Sequence, residues 1–142
     1  MTKVRSRLLA VALLIAFTLA IGPMLVHAQS GRITAKIPFG FHVGDEEFPP
    51  GEYTVDRPVQ NTLLIRLSDG AGHTLMTVAI PETRPPEHLA KLIFNKYFDE
   101  YFLCEIRWRE SSTALQFLPS PRERELAKKT VPQQILTTDK RS

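Results

Sequence analysis

Four histidines, one cysteine and a dense set of aromatic rings are the residues best equipped for chemistry. His42 is followed by Asp45, Glu46 and Glu47, and imidazole with carboxylates is a set that a divalent metal accepts. Gly44-Asp45 between them reads as a turn, so a solvated acidic turn is the favoured reading and no metal site is expected. His73 follows a glycine turn and His88 follows Pro-Pro-Glu, so both read as surface loop ends. No H-x-H or H-E-x-x-H spacing occurs. Cys104 is the single thiol, which excludes an internal disulfide framework and a Cys-based zinc finger. A reactive thiolate needs a lowered pKa and exposure. Cys104 instead alternates with Phe102, Ile106 and Trp108, which predicts an inward-facing core cysteine. There is no G-x-S-x-G elbow or S-x-x-K, and Ser68, Ser111 and Ser112 fall in predicted turns. Gly70 and Gly72 form a hairpin turn that leads into no helix, so they make no phosphate loop. No catalytic residue and no cofactor follow from these patterns. The aromatic residues Phe94, Tyr97, Tyr101, Phe102 and Trp108 either line a site for an apolar ligand or pack as sheet core. Packing is favoured, because aromatic cross-strand pairs stabilise strands wherever two strands meet.

The elements that carry these residues have a period of two. Ile33, Ala35, Ile37 and Phe39 form one alternating set; Tyr53, Val55 and Arg57 form another. Leu63, Ile65 and Leu67 continue the pattern, and Thr74, Met76, Val78 and Ile80 alternate with His73, Leu75, Thr77 and Ala79. Leu92 and Phe94 lie opposite Ile93 and Asn95. Phe102, Cys104, Ile106 and Trp108 are set against Tyr101, Leu103, Glu105, Arg107 and Arg109, and Thr113, Leu115 and Phe117 suggest a last strand. Turns at Gly44-Asp45, Pro49-Pro50-Gly51, Ser68 to Gly72 and Phe98 to Glu100, with a stiff connection at Pro81 to Pro86, separate the runs. The fold expected is all-β, an antiparallel barrel or sandwich of about seven or eight strands. A short helix closes it at about 120–129, capped by Ser120 with Pro121 in its first turn and Glu123 placed as in a capping box. Residues 131–142 lack periodicity and are expected to be a mobile tail.

The first 28 residues are a different material. Lys3, Arg5 and Arg7 precede an uncharged run from Leu8 to Ile21, and Gly22-Pro23 breaks the pattern before Val26-His27-Ala28. Basic start, apolar middle and small-residue end read as a secretory signal peptide cleaved between Ala28 and Gln29. The alternative is an uncleaved anchor, since Leu8 to Val26 is close to the roughly 20 residues a span needs. Cleavage would remove three of the 18 basic groups and none of the 15 acidic ones, turning a formal +3 into zero. The basicity therefore belongs to the export signal and makes no case for nucleic acid. The domain is then residues 29–130 with its helix, destined for the periplasm or the exterior, and membrane contact is confined to the signal segment.

Several stretches resemble a group of small exported bacterial proteins of unassigned function. They are the Ile37-Pro38-Phe39 and Val43-Gly44 opening, the Pro49 to Val55 strand, the aromatic pair within Lys91 to Trp108, and Ser120 to Lys128 with its ERELAK segment. The sequence departs from that group at Phe98-Asp99, where the group has Gly-Asp. The resemblance implies a secreted β-rich domain and brings no catalytic residue across.

The functional expectation is an exported, non-enzymatic β module that binds an envelope protein or a small apolar ligand. One alternative is an enzyme whose residues converge only in the fold, with His42, His73 or His88 beside an acid. The other is an envelope structural protein tethered by residues 8–26.

Overall fold

A computed structural model describes residues 31–59 and 61–140; the expected signal segment and the cleavage point expected between Ala28 and Gln29 lie outside the described residues. Among the described residues eleven strands and one helix follow in order: β1 (Arg32–Ile37), β2 (Phe41–Val43), β3 (Glu46–Phe48), β4 (Gly51–Asp56), β5 (Leu64–Asp69), β6 (Thr74–Val78), β7 (Ile80–Thr83), β8 (Lys91–Tyr97), β9 (Glu100–Arg107), β10 (Thr113–Gln116), α1 (Pro121–Ala127) and β11 (Gln133–Thr138). One sheet has the order β1-β4-β5-β6. The other has the order β11-β8-β9-β10-β7, with the β2–β3 hairpin attached through a parallel bridge from His42 to Phe102. The all-β expectation holds, in its sandwich form rather than as a closed barrel.

Alternation explains the core. Ile33, Ala35 and Ile37 of β1, Tyr53 and Val55 of β4, and Ile65 and Leu67 of β5 are fully buried from the first sheet. Leu92 and Phe94 of β8, Leu103 and Ile106 of β9, and Leu115 of β10 meet them from the second. Phe41 from β2 and Phe48 from β3 close one end, packed edge-on against Tyr53. Apolar burial contributes roughly 25 cal/mol per Å², so this layer is the main source of stability.

Chain chemistry sets the turns. Gly44 (φ +60°) makes the β2–β3 turn expected there. Between β5 and β6, the Asp69 carboxylate accepts from the backbone N–H of Ala71 at 2.9 Å and of His73 at 2.8 Å, while Gly72 takes φ +93°. Phe98, in the two-residue turn between β8 and β9, stands at φ +53°. A residue with a side chain is strained in that region, where glycine is at ease.

Four expectations need correction. First, the tail expected from residue 131 contains a strand: 133–138 form β11, paired with β8 over six residues from Gln133–Lys96 to Thr138–Lys91. Second, β9 has no single apolar face through Phe102, Cys104, Ile106 and Trp108. The register pairs Ile93 with Glu105 and Phe94 with Leu103, which leaves Cys104 as an extra residue in β9. This bulge reverses the phase. Ile106 and Trp108 face the main core, as Leu103 does, while Phe102 faces the other way. Third, Ser68 lies within β5 opposite Thr74 rather than in a turn, and Leu63, placed in phase with Ile65 and Leu67, is exposed. Fourth, the capping box is half formed. Ser120 Oγ accepts from Glu123 N–H at 3.1 Å, but the Glu123 carboxylate does not fold back onto the cap. It points into the sheet, where Asn95 Nδ2 donates to it at 3.1 Å and Tyr97 OH at 3.4 Å.

Candidate functional site

The five aromatic residues that stand out in the sequence do not line one site. Phe94 is wholly buried in the main core, edge-on to Phe39 at 5.2 Å and to Phe41 at 5.4 Å. Tyr101 lies at the margin of that core, stacked on Phe39 at 3.9 Å. Tyr97 and Phe102 sit on the opposite face of the sheet, where Leu126 of α1 covers them. Trp108 is at the far end of β9, with the Arg57 guanidinium 5.1 Å from its ring centre. Burial lowers the pKa of Arg57 from its ordinary value. Each ring is thus accounted for by packing.

The polar candidates are equally dispersed. His42 stacks on Phe102 at 4.8 Å, and its Nε2 is 4.0 Å from a Glu100 oxygen that Arg122 also engages. Hydrogen bonding from Arg122 lowers the pKa of Glu100. Asp45, Glu46 and Glu47 point to solvent. His73 stacks on Phe48 at 5.2 Å, and the exposed His88 has Nδ1 2.7 Å from Glu110. Among the described residues no three His, Cys, Asp or Glu side chains converge on a metal position. Cys104 is half-buried, with Sγ donating to Ile93 C=O at 3.2 Å. Burial first, and then Glu123 and Glu105, push its thiol up to about 12. A thiol so placed stays protonated and is a poor nucleophile.

Geometry draws attention elsewhere, to the edge at β6. The expected alternation there has apolar residues on both phases, and the structure turns Leu75 inward against the core and Met76 and Val78 outward. Ala79, fully buried, is the pivot at which the chain leaves the first sheet, and Ile80 begins β7 in the second. Met76, Val78 and Ile80 at this corner, and Leu63 just before β5, are between 42% and 64% exposed. Met76 and Val78 stand on the solvent face of β6, opposite Arg66 and Leu64 of β5. Contiguous exposed apolar surface is the kind that proteins use to bind partners or membranes.

Other edges are handled differently. Past β11, Lys140 N–H donates to Thr34 C=O at 2.8 Å, which occupies the open side of β1. On β7, Arg84 N–H donates to Ser112 C=O, so alternate residues Glu82 and Ile80 face β10 and Pro81 faces outward. A proline there has no N–H to offer another strand. β6 carries neither proline nor charge, and among the described residues no strand pairs with its outer side.

Family models, curated proteins and solved structures were compared with this chain, and none matches. The functional reading therefore rests on the geometry.

The sequence signal for this edge is the run from Thr74 to Pro81, eight residues without a charge and apolar on both phases. It reads as an ordinary buried strand until the sheet order shows that one side of it is open.

Proposed function

We propose that this protein is an exported, non-catalytic β module that binds a protein partner along the open edge of β6. The observation that carries the reading is the combination found at that strand: a backbone side that no strand among the described residues pairs with, and exposed apolar side chains at Met76, Val78 and Ile80. Edge strands are ordinarily blunted by charge, proline or a cover, because an open one templates another strand. An unblunted edge fits β-augmentation, in which main-chain bonds give affinity and alternate side chains give selectivity. The signal-like first 28 residues support export. The stacked or exposed histidines and the protonated Cys104 support a binding role over a catalytic one.

In-cell photo-crosslinking tests this. A photoreactive amino acid is placed at Val78 on the edge or at exposed Lys129 on the far side of the fold. Discrete adducts are expected from position 78 and none from 129. Equal labelling at both positions, or none at 78, overturns the proposal.

A further inference from the structure

We infer that the partner is a second copy of this chain, joined β6 to β6 antiparallel about a two-fold axis at Met76; this rests on the partner-binding reading of that edge. The backbone phase is fixed by two hydrogen bonds. Asp69 N–H donates to His73 C=O and Ala79 N–H to Leu63 C=O, each at 3.0 Å. In an antiparallel ladder alternate residues direct both backbone groups to the same neighbour. His73, Leu75, Thr77 and Ala79 therefore face β5, and Thr74, Met76 and Val78 present N–H and C=O outward.

That outward set is self-complementary. It has an odd number of members with Met76 at the centre, so a two-fold axis pairs Met76 with its own equivalent. The same operation pairs Thr74 with Val78 of the second copy, and Val78 with its Thr74. Each outward N–H then meets an outward C=O without a register shift. The side chains agree: exposed Met76 meets Met76, and exposed Val78 meets Thr74, the kind of β-branched and apolar cross-strand contact that stabilises a sheet.

Charge does not oppose the pairing. β6 has no charged residue, and its neighbour across the sheet, Arg66, is held by Asp56 at 2.6 Å. The chain from Gln29 onward has 15 basic and 15 acidic groups, so two copies approach without net repulsion. An acidic or basic partner strand would find no matching charge on β6.

Closure follows from symmetry. An isologous contact uses the same patch on both copies and stops at two. The two β1-β4-β5-β6 sheets become one, whose outer strands are the two β1 strands, each already met by Lys140.

Sedimentation velocity on protein recovered from its host after export tests the inference, over a concentration range from about 1 to about 500 µM, suited to a small interface. A dimer fraction that rises with concentration is expected. Met76→Pro removes an outward N–H and leaves the ladder to β5 intact, so it is expected to weaken dimerisation at least tenfold. Met76→Lys, at a side chain that is half exposed, is expected to do the same with an unchanged circular dichroism spectrum. A chain that stays monomeric throughout, or a dimer indifferent to both substitutions, overturns the inference. Monomers that still give adducts with other proteins at position 78 remove the second copy and leave the partner reading standing; monomers with no adducts remove both.

Discussion

Cys104 shows how one extra residue redirects a site. By alternation it belongs between Phe102 and Ile106 on a shared face. As the bulge residue it leaves that face, gives its Sγ–H to Ile93 C=O, and lies near two carboxylates, those of Glu123 and Glu105. With the thiol at about 12 against an ordinary 9.0, its thiolate fraction near pH 8 falls by roughly three orders of magnitude. Alkylation of the native protein at pH 8 is expected to be slower by about that factor than in denaturant. Comparable rates would place the thiol in an exposed, polar setting instead. The sign for stability follows from the same shift. Above pH 9 the unfolded thiol loses its proton while the folded one keeps it, so stability declines as pH rises from about 9 toward 12. Nothing in the alternation announces the bulge, because Phe102 and Cys104 fit either phase; only the register across β8 reveals it. The N-cap was legible at Ser120, whereas the burial of Glu123 depends on Asn95 and Tyr97, more than 20 residues away in the chain.

At the scale of elements, local alternation located β1 and β4, where one phase is apolar and the other polar, and also β5, β9 and β10, where apolar residues stand on both phases. It missed β11. Gln133, Gln134, Thr137 and Thr138 carry no strand signal of their own, and Ile135-Leu136 gives only one inward residue, Ile135, packed at the core margin. What makes this segment a strand is the exposed side of β8. Asp139 N–H donates to Ala90 C=O, so by alternation Leu92, Phe94 and Lys96 direct their backbone groups to β11. Ending the chain after Thr130 leaves those groups unpaired and uncovers the side of the core that Ile135 closes. The expected cost is at least about 3 kcal/mol, or roughly 10 °C in thermal midpoint for a domain of this size. A truncated protein that melts within about 2 °C of the full chain would show that β11 adds no stability. The same tertiary logic governs β6, whose inward phase was not legible because Leu75 and Ala79 compete with Met76, Val78 and Ile80. The choice is made by Ala79, which has to be small and buried where the chain crosses between sheets.

For the whole molecule, the balance of charge and the treatment of sheet edges bear on the same question. A sandwich has four edge strands. Here Lys140 meets the side of β1 and Pro81 blunts β7 from within, while among the described residues no strand takes up the outer backbone groups of β6. An open neutral edge is hazardous in a chain near zero net charge, since electrostatic repulsion no longer separates copies. With the first 28 residues attached the sequence has an isoelectric point near 9.2 and a formal charge of +3. The proposed cleavage after Ala28 would take away Lys3, Arg5 and Arg7 and bring the chain to neutrality. On this reading the precursor carries a charge that opposes self-pairing, and removal of the export signal ends that opposition. Isoelectric focusing of exported material is expected to place it close to neutral pH, well below the precursor. Exported material that focuses near 9 would mean that the basic segment is retained. That outcome favours the tethered alternative and confines the pairing of β6 edges to chains held at a membrane surface.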